Sequence, residues 1–385
     1  MSLNGAYVIE DANIVTPRGT EWRSSLKVDD GRIAEIKTGE IKSVKQKVDA
    51  QGRYLLPGLI DLHSDAIEKA LEPRPNIFFP QNLVILEMDR LLAASGITTI
   101  FHSLSFAEGE IGVRSNHMAA EIISEIHRLA PDLHLRTMTH ARFELTDTGA
   151  LPYLEELLQA RKINLLSLMD HTPGQGQFQE LTSFKNYFGT VYQKGEEELE
   201  QIIQQKYSAQ KTLSATVDHV VSLCHSLAIP LASHDDDSPA KIKWLKERGI
   251  GISEFPVSLE AAAAAKEHNI AVCLGAPNIL RGNSQGKNLS GRQAIGSGCG
   301  DILCSDYAPI TLVHSVFALY QLGLLPLEAA VNMVSLNPAK AVDLAEQTGS
   351  IELGKDADLI LVDLSKEVPS LVKTWVRGKE VYSLW

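Results

Sequence analysis

Between Tyr54 and Pro309, short apolar runs alternate with stretches of helical period. The runs are YLLPGLIDLH (54–63), GITTIFHSL (96–104), LHLRTMTHARFE (133–144), INLLSLMDH (163–171), IPLASHD (229–235), GIGISEFP (249–256), IAVCLGAPN (270–278) and DILCSDYAP (301–309). Amphipathic segments such as EMDRLLAAS (87–95), PYLEELLQARK (152–162), KIKWLKERG (241–249) and LEAAAAAKEH (259–268) lie between them. Strands that alternate with helices in this way form parallel βα units, and eight such units close a (β/α)8 TIM barrel. A longer polar helical insertion, from about Gly195 to Ala228, separates the fourth and fifth runs.

The two ends have another texture. AYVIEDANIV (6–15) and SLKVDDGRIAEI (25–36) are β-like runs punctuated by turn residues, and GSIELGKDADLILVDL (349–364) and VKTWVRGKEVY (372–382) repeat the pattern. The expected organisation is an α/β chain: a β-sandwich subdomain shared by residues 1–54 and 349–385, around a barrel over residues 55–348.

Composition narrows the function. A chain of 385 residues with 44% hydrophobic and 22% charged residues is an ordinary globular protein, and one barrel of about 250 residues accounts for most of it. No run of eighteen apolar residues occurs and MSLNGAYVIEDA lacks a leader pattern, so a cytoplasmic protein without a membrane partner is expected. The 36 basic and 48 acidic residues give a net charge of −12, which argues against nucleic acid and requires a metal or an Arg/Lys pocket for any polyanionic ligand. Cys224, Cys273, Cys299 and Cys304 form no CxxC pair and read as reduced core residues. Self-association into a homo-oligomer is compatible with this pattern.

Barrels carry their chemistry at the C-terminal ends of their strands. Here those ends hold His63 and Asp65, His102, His140 and Glu144, Asp170 and His171, His234 to Asp237, Glu254, Asn278 and Asp306. Five of the 12 histidines are among them. In Asp61-Leu62-His63-Ser64-Asp65 a period of two would turn His63 and Asp65 to one side, where imidazole and carboxylate suit zinc or manganese. His171 and His234, each beside an aspartate at the end of a strand, extend that set. His102 has only its position to recommend it and reads as a supporting or core residue. Asp306 could bind metal and take a proton from the attacking water, or cap the next helix. Glu144 could bridge two ions or sit in a solvated loop. After the seventh run, APNILRGNSQGKNLSGRQA intersperses Arg281, Lys287 and Arg292 with Gly282, Gly286 and Gly291, a composition that suits phosphate or a mobile surface loop. Lys69 and Arg74 add basic groups near the same mouth.

PGLIDLHSD, HARFEL, SLMDHTPGQGQF, LASHDD, SEFP, LGAPNILRG, CSDYAP and the late NPAKAVDL with GKDADL span nearly the whole chain in order. Together they resemble the α-D-ribose 1-methylphosphonate 5-triphosphate diphosphatases, a branch of the amidohydrolase superfamily. The resemblance implies a metal-dependent hydrolase of phosphonate metabolism that cleaves a polyphosphorylated ribose to the 5-phosphate and pyrophosphate. It implies one or two divalent ions, zinc or alternatively manganese or iron, held by His63, Asp65, Glu144, His171, His234 and Asp306, with Asp306 as the proton acceptor. Arg281, Asn278, Arg74 and Glu254 would contact the substrate. The chain departs from the commonest superfamily pattern, which has HxH on the first strand and histidines on the fifth and sixth. Here the first strand reads HxD, His171 and His234 fall on strands four and five, and Glu254 stands where the strand-six histidine would be. Either the count is one strand off or the cage is rearranged. No lysine ends strand three or four, so Glu144 is the bridging candidate by elimination. The competing readings are an amidohydrolase acting on a cyclic amide or N-acyl substrate, and an inactive barrel used as a scaffold.

Overall fold

A computed structural model describes residues 5–108, 113–176, 181–182, 184–185, 189, 195–209, 213–284 and 288–384. The chain opens with β1 (Tyr7–Thr16), β2 (Gly19–Asp29), β3 (Arg32–Thr38), β4 (Lys47–Asp49) and β5 (Tyr54–Pro57). Next come β6 (Leu59–Ser64), β7 (Ile97–Phe106), β8 (Arg136–Glu144), β9 (Leu165–Met169), β10 (Leu231–His234), β11 (Ile252–Glu254), β12 (Ala271–Gly275) and β13 (Ile302–Cys304). The last strands are β14 (Leu359–Asp363), β15 (Ser370–Val376) and β16 (Lys379–Ser383).

Strands β6 to β13 pair in chain order, all parallel. The ring closes at its C-terminal rim through a parallel bridge between Ser64 and Asp306. There Asp306 N donates to His63 O and Asp65 N donates to Asp306 O, both at 2.9 Å. Apolar residues pack on the outside of the strands: Ile100, Leu104, Ala141, Phe143 and Leu303 join the helices in one large core. The helix Asn116–Leu129 shows why these segments are helical, with Ser115 accepting from Met118 N as the cap and Ala119, Ile122, Ile123 and Ile126 buried at helical spacing. Ile60, Leu62, Phe101, Leu165, Ile252 and Ile302 fill the inside. Among the described residues no helix is long and apolar enough to cross a membrane.

The chain ends meet, as their shared texture predicts, in one sheet ordered β16-β15-β14-β5-β1-β2-β3, with β4 also on β1. Alternation gives this sheet two apolar faces. Leu359 and Leu361 join Tyr7, Leu55 and Trp375 in its own core, while Ile360 and Val362 join the barrel core. The run Tyr54–His63 is therefore two strands: Tyr54–Pro57 pairs with β14 and β1, and the chain crosses at Gly58 to begin the barrel. The sheet docks beside the N-terminal ends of β6 to β8, where Arg136 at the start of β8 binds Asp356 (2.7 Å) and Asp358 (2.8 Å).

Among the described residues the polar insertion holds two elements of different kind. Leu213–Ser226 buries Val217, Val220, Val221 and Cys224 against the barrel and is the ordinary crossover helix before β10. Glu196–Ala209 is the added element, and its Leu199 and Ile203 pack with Phe184 in a small cluster apart. All four cysteines are buried and free.

Candidate metal centre

Parity along the strands decides which polar side chains look into the ring. On β8, Ala141 and Phe143 face outward, so His140, Arg142 and Glu144 form an inward column. On β7, Phe101 faces inward with Ile100 and Leu104 outward, which puts His102 on the helix side; buried there, its pKa is pushed down to about 4. His102 is thus a core residue. In β6 the register slips, with Asp61 opposite Ile100 and Ser64 opposite His102, so one extra residue breaks the alternation and both Leu62 and His63 reach the interior. Just past β10, β11 and β13, Asp235, Phe255 and Asp306 take φ of 54°, 53° and 56°. This left-handed backbone is uncommon outside glycine, and three such turns on one rim are the strain that functional sites carry.

Two groups of donors converge, with ligand atoms inside each within 4.8 Å of one another: His63, His234 and Glu254, and His171, His234 and Asp235. His63 Nδ1 meets Glu254 Oε1 at 3.0 Å, and His140 Nε2 lies 3.8 Å from Glu254 Oε2. His234 Nδ1 is 3.1 Å from Asp235 Oδ2, yet neither atom makes a hydrogen bond. His171 Nε2 reaches the same carboxylate oxygen at 3.8 Å. Buried and without hydrogen-bond partners are His63 Nε2, His140 Nε2, His234 Nδ1, Asp235 Oδ2 and Glu254 Oε2. Burying so many unsatisfied lone pairs in one place is costly unless a cation satisfies them. Burial also keeps His63 well below the ordinary histidine pKa and takes His140 down to about 3, so both imidazoles retain the lone pair that a metal requires. For His234 burial is the largest single influence and acts downward, but the neighbouring carboxylates of Asp235 and Glu254 together outweigh it and raise the pKa. Two imidazoles and a carboxylate in each group are borderline donors suited to zinc or a similar divalent ion. The residues present fit a metal centre, with His234 shared between the two groups.

Other expected ligands stand nearby with different partners. Asp65 is the residue before the helix Ala66–Leu71, with φ −95° and ψ 12°, so the extended period of two ends before it. Its Oδ2 pairs with Arg114 at 3.2 Å, its Oδ1 is buried without a hydrogen bond, and the residue belongs to neither donor group. Glu144 accepts from Lys206 Nζ at 2.8 Å and contacts His171 Nδ1 at 3.0 Å; burial alone would raise its pKa, but Lys206 and the contact with His171 hold it well below the usual carboxylate range. Glu144 therefore orients His171 from behind. Asp306 precedes a helix that begins only at Thr311 with Ile310 as its cap, so it caps nothing. Burial, and then the charge of Asp65, raise its pKa to about 6.

Asp306 and Asp235 form one wall of a pocket completed by Phe255, Asn278, Arg281 and Tyr307. Arg281 is exposed at its mouth. Asn278 donates to Leu289 O (3.2 Å) and accepts from Gly291 N (3.1 Å), which ties down the loop after β12. Arg292 is spent on the carbonyls of Ile279 (2.7 Å) and Leu280 (3.0 Å), the end of the helix Ala276–Arg281, and is not free for phosphate. Lys69 lies over the Tyr307 ring at 4.4 Å. Arg74 is exposed in the turn after Leu71 and does not line this pocket. Gly286 and Lys287 lie outside the described residues.

The amidohydrolase family profile matches residues 193–382. Over 391 aligned residues the chain is 32% identical to the curated alpha-D-ribose 1-methylphosphonate 5-triphosphate diphosphatase of Escherichia coli (strain K12), covering 99% of this chain and 100% of that one. The chain belongs to the amidohydrolase family. It is 22% identical to the dihydroorotase of Elusimicrobium minutum, over 97% of this chain and 90% of the relative. N-acetylglucosamine-6-phosphate deacetylase from Pasteurella multocida shares the fold, with a TM-score of 0.63 at 15% identity and coverage of 97% and 98%. Amidohydrolases typically bind divalent metals, in keeping with the donor groups found here.

In this amidohydrolase the strand count holds, with His171 just past the fourth barrel strand, His234 on the fifth and Glu254 on the sixth, so the departure from the common pattern is not a strand miscounted. Glu254, expected to contact substrate, instead joins His63 and His234. Asp235, His140, Arg142 and Lys206 had no expected role. The alternation His140-Arg142-Glu144 was a usable signal for two of them. Asp235 was hidden among three aspartates, of which Asp236 is tied to Ser233 and Ser253 (both 2.6 Å) and Asp237 accepts from Gly176 N. Lys206 arrives from the inserted helix, and no local pattern points to it.

Proposed function

We propose that this amidohydrolase cleaves the phosphoanhydride of α-D-ribose 1-methylphosphonate 5-triphosphate, or of a close 1-phosphonate analogue, to the 5-phosphate and pyrophosphate. The observation that carries the reading is the end-to-end likeness to the curated diphosphatase. The exposed guanidinium of Arg281, in one pocket with Asp306 and Asp235, supports it chemically, because a chain of net charge −12 needs local positive charge to receive a triphosphate. His63, His234, Glu254, His171 and Asp235 would hold one or two divalent ions, with zinc favoured by the donor set. A bound divalent ion supplies Lewis-acid polarisation of a phosphoryl oxygen and acidifies water.

The chain's own groups do the rest. The Asp306 carboxylate, ionised at neutral pH and more basic than an ordinary aspartate, accepts the proton of the attacking water. Arg281 neutralises charge that develops on the departing pyrophosphate. Glu144, fixed by Lys206, keeps the ring of His171 in one orientation. A small-molecule substrate and a cytoplasmic setting complete the proposal. The second reading, hydrolysis of a cyclic amide, is favoured by the likeness to dihydroorotase but gives Arg281 no task.

The test is product analysis with a 5-triphosphorylated ribose 1-phosphonate. Release of pyrophosphate rather than orthophosphate, abolished by a chelator and restored by a divalent ion, is the expected result. Hydrolysis of dihydroorotate-like amides with no action on the triphosphate would overturn it.

A further inference from the structure

Around the eight-stranded ring, β8 and β12 are four strands apart in either direction. Arg142, on the inward column of β8, therefore stands across the barrel from Arg281, which follows β12, with the donor groups of β6, β10 and β11 around the space between. The Arg142 side chain is 8% exposed. Its Nη2 donates to Ser105 Oγ at 2.6 Å and lies 3.5 Å from Glu68 Oε2, and its Nε is buried with no acceptor. Glu68 is already engaged, accepting from Arg114 Nε at 2.8 Å and from Ser105 N at 3.0 Å. Arg142 thus keeps only the longest contact to its one carboxylate. Its charge is felt by His63, His140, His234 and Asp306, so it lies within electrostatic reach of the centre. A planar guanidinium with an unused N–H is built to receive an oxyanion.

We propose that Arg142 receives an anionic substituent at C1 of the sugar, at the end of the substrate opposite the pyrophosphate held by Arg281. This rests on the reading above, in which the substrate is a ribose anionic at both ends. A guanidinium at each side of the metal centre then sets the length and direction in which such a molecule lies, and a sugar without the C1 anion forfeits one of the two anchors.

The experiment is calorimetric titration of the full-length, metal-loaded protein with ribose 5-phosphate bearing or lacking a phosphonate at C1. The wild type is expected to bind the phosphonate sugar about 10- to 100-fold more tightly, the range of a charge-assisted contact. Arg142→Met should bind both sugars alike, and Arg142→Lys should keep part of the difference. A purely structural Arg142 would weaken both sugars equally. A wild type that does not distinguish the sugars, or an Arg142→Met protein that distinguishes them as the wild type does, overturns the proposal. If Arg142→Met fails to fold, Glu68→Gln decides. Removal of the carboxylate that competes for Arg142 should widen the difference, and an unchanged or narrowed difference overturns the proposal. A triphosphate left intact while the sugar difference persists would overturn the diphosphatase reading and support the anion site.

Discussion

One oxygen of the Glu254 carboxylate meets His63 Nδ1 at 3.0 Å, while its second oxygen is buried with no donor. A hydrogen bond to His63 alone leaves half of a buried carboxylate unsatisfied, and a cation relieves it. Glu254→Gln preserves the contact to His63 and removes the charge. The variant is expected to fold normally and to hold its divalent ion at least about tenfold more weakly, as changes at metal centres typically do. Metal analysis after dialysis checks this; full retention of metal would show that Glu254 is not a ligand.

The Arg281 guanidinium has no lone pair to offer a metal, so Arg281→Ala should leave metal content unchanged while kcat for the triphosphate falls about 10²- to 10³-fold, the usual loss for one donor that stabilises developing charge. A variant with full metal and wild-type kcat/KM would remove Arg281 from the mechanism.

Gly58 marks the crossing from the end sheet to the barrel, and a Cβ there would lie 2.2 Å from Thr98 Oγ1 and 2.4 Å from its Cγ2. Gly58→Ala should destabilise the fold by about 1–3 kcal/mol, the cost of overpacking. Thr98→Ala removes both atoms, so the double variant should recover part of that loss in chemical denaturation. A Gly58→Ala protein as stable as the wild type would show that the junction yields freely.

Arg136 lies between Asp356 and Asp358 with its side chain 5% exposed. Arg136→Met removes the buried cation from two carboxylates that keep hydrogen bonds from Gln347, Thr348 and Arg377 N, and should cost stability toward the lower end of about 3–5 kcal/mol. The pair is at the N-terminal end of β8, far from the rim that carries the donors, so kcat/KM per folded molecule should stay at the wild-type value. Loss of activity in a fully folded sample would mean that the sheet influences the site.

The barrel, its strand order and the sheet made from both ends were legible in the sequence because each depends on local periodicity: apolar runs, helical spacing and turn residues that recur at the right places. His63, His171 and His234 were legible for the same reason, since a histidine at the end of an apolar strand is placed by its neighbours in the chain. The set of partners around them was not. Asp65 looked like a companion of His63 by alternation, but one extra residue in β6 and the helix that begins at Ala66 bring one of its carboxylate oxygens to Arg114.

Glu254 becomes a partner of His63 only because β6 and β11 face each other across the closed ring, although 191 positions separate the two residues. Lys206 reaches Glu144 from an inserted helix, and Arg142 is opposed to Arg281 by the number of strands that close the barrel. The sequence by itself determined which residue stands at each strand end, because pleat and helix periods act over a few residues. Which of those residues converge was decided by tertiary structure, because that is set by ring closure and register, which no short stretch of chain encodes.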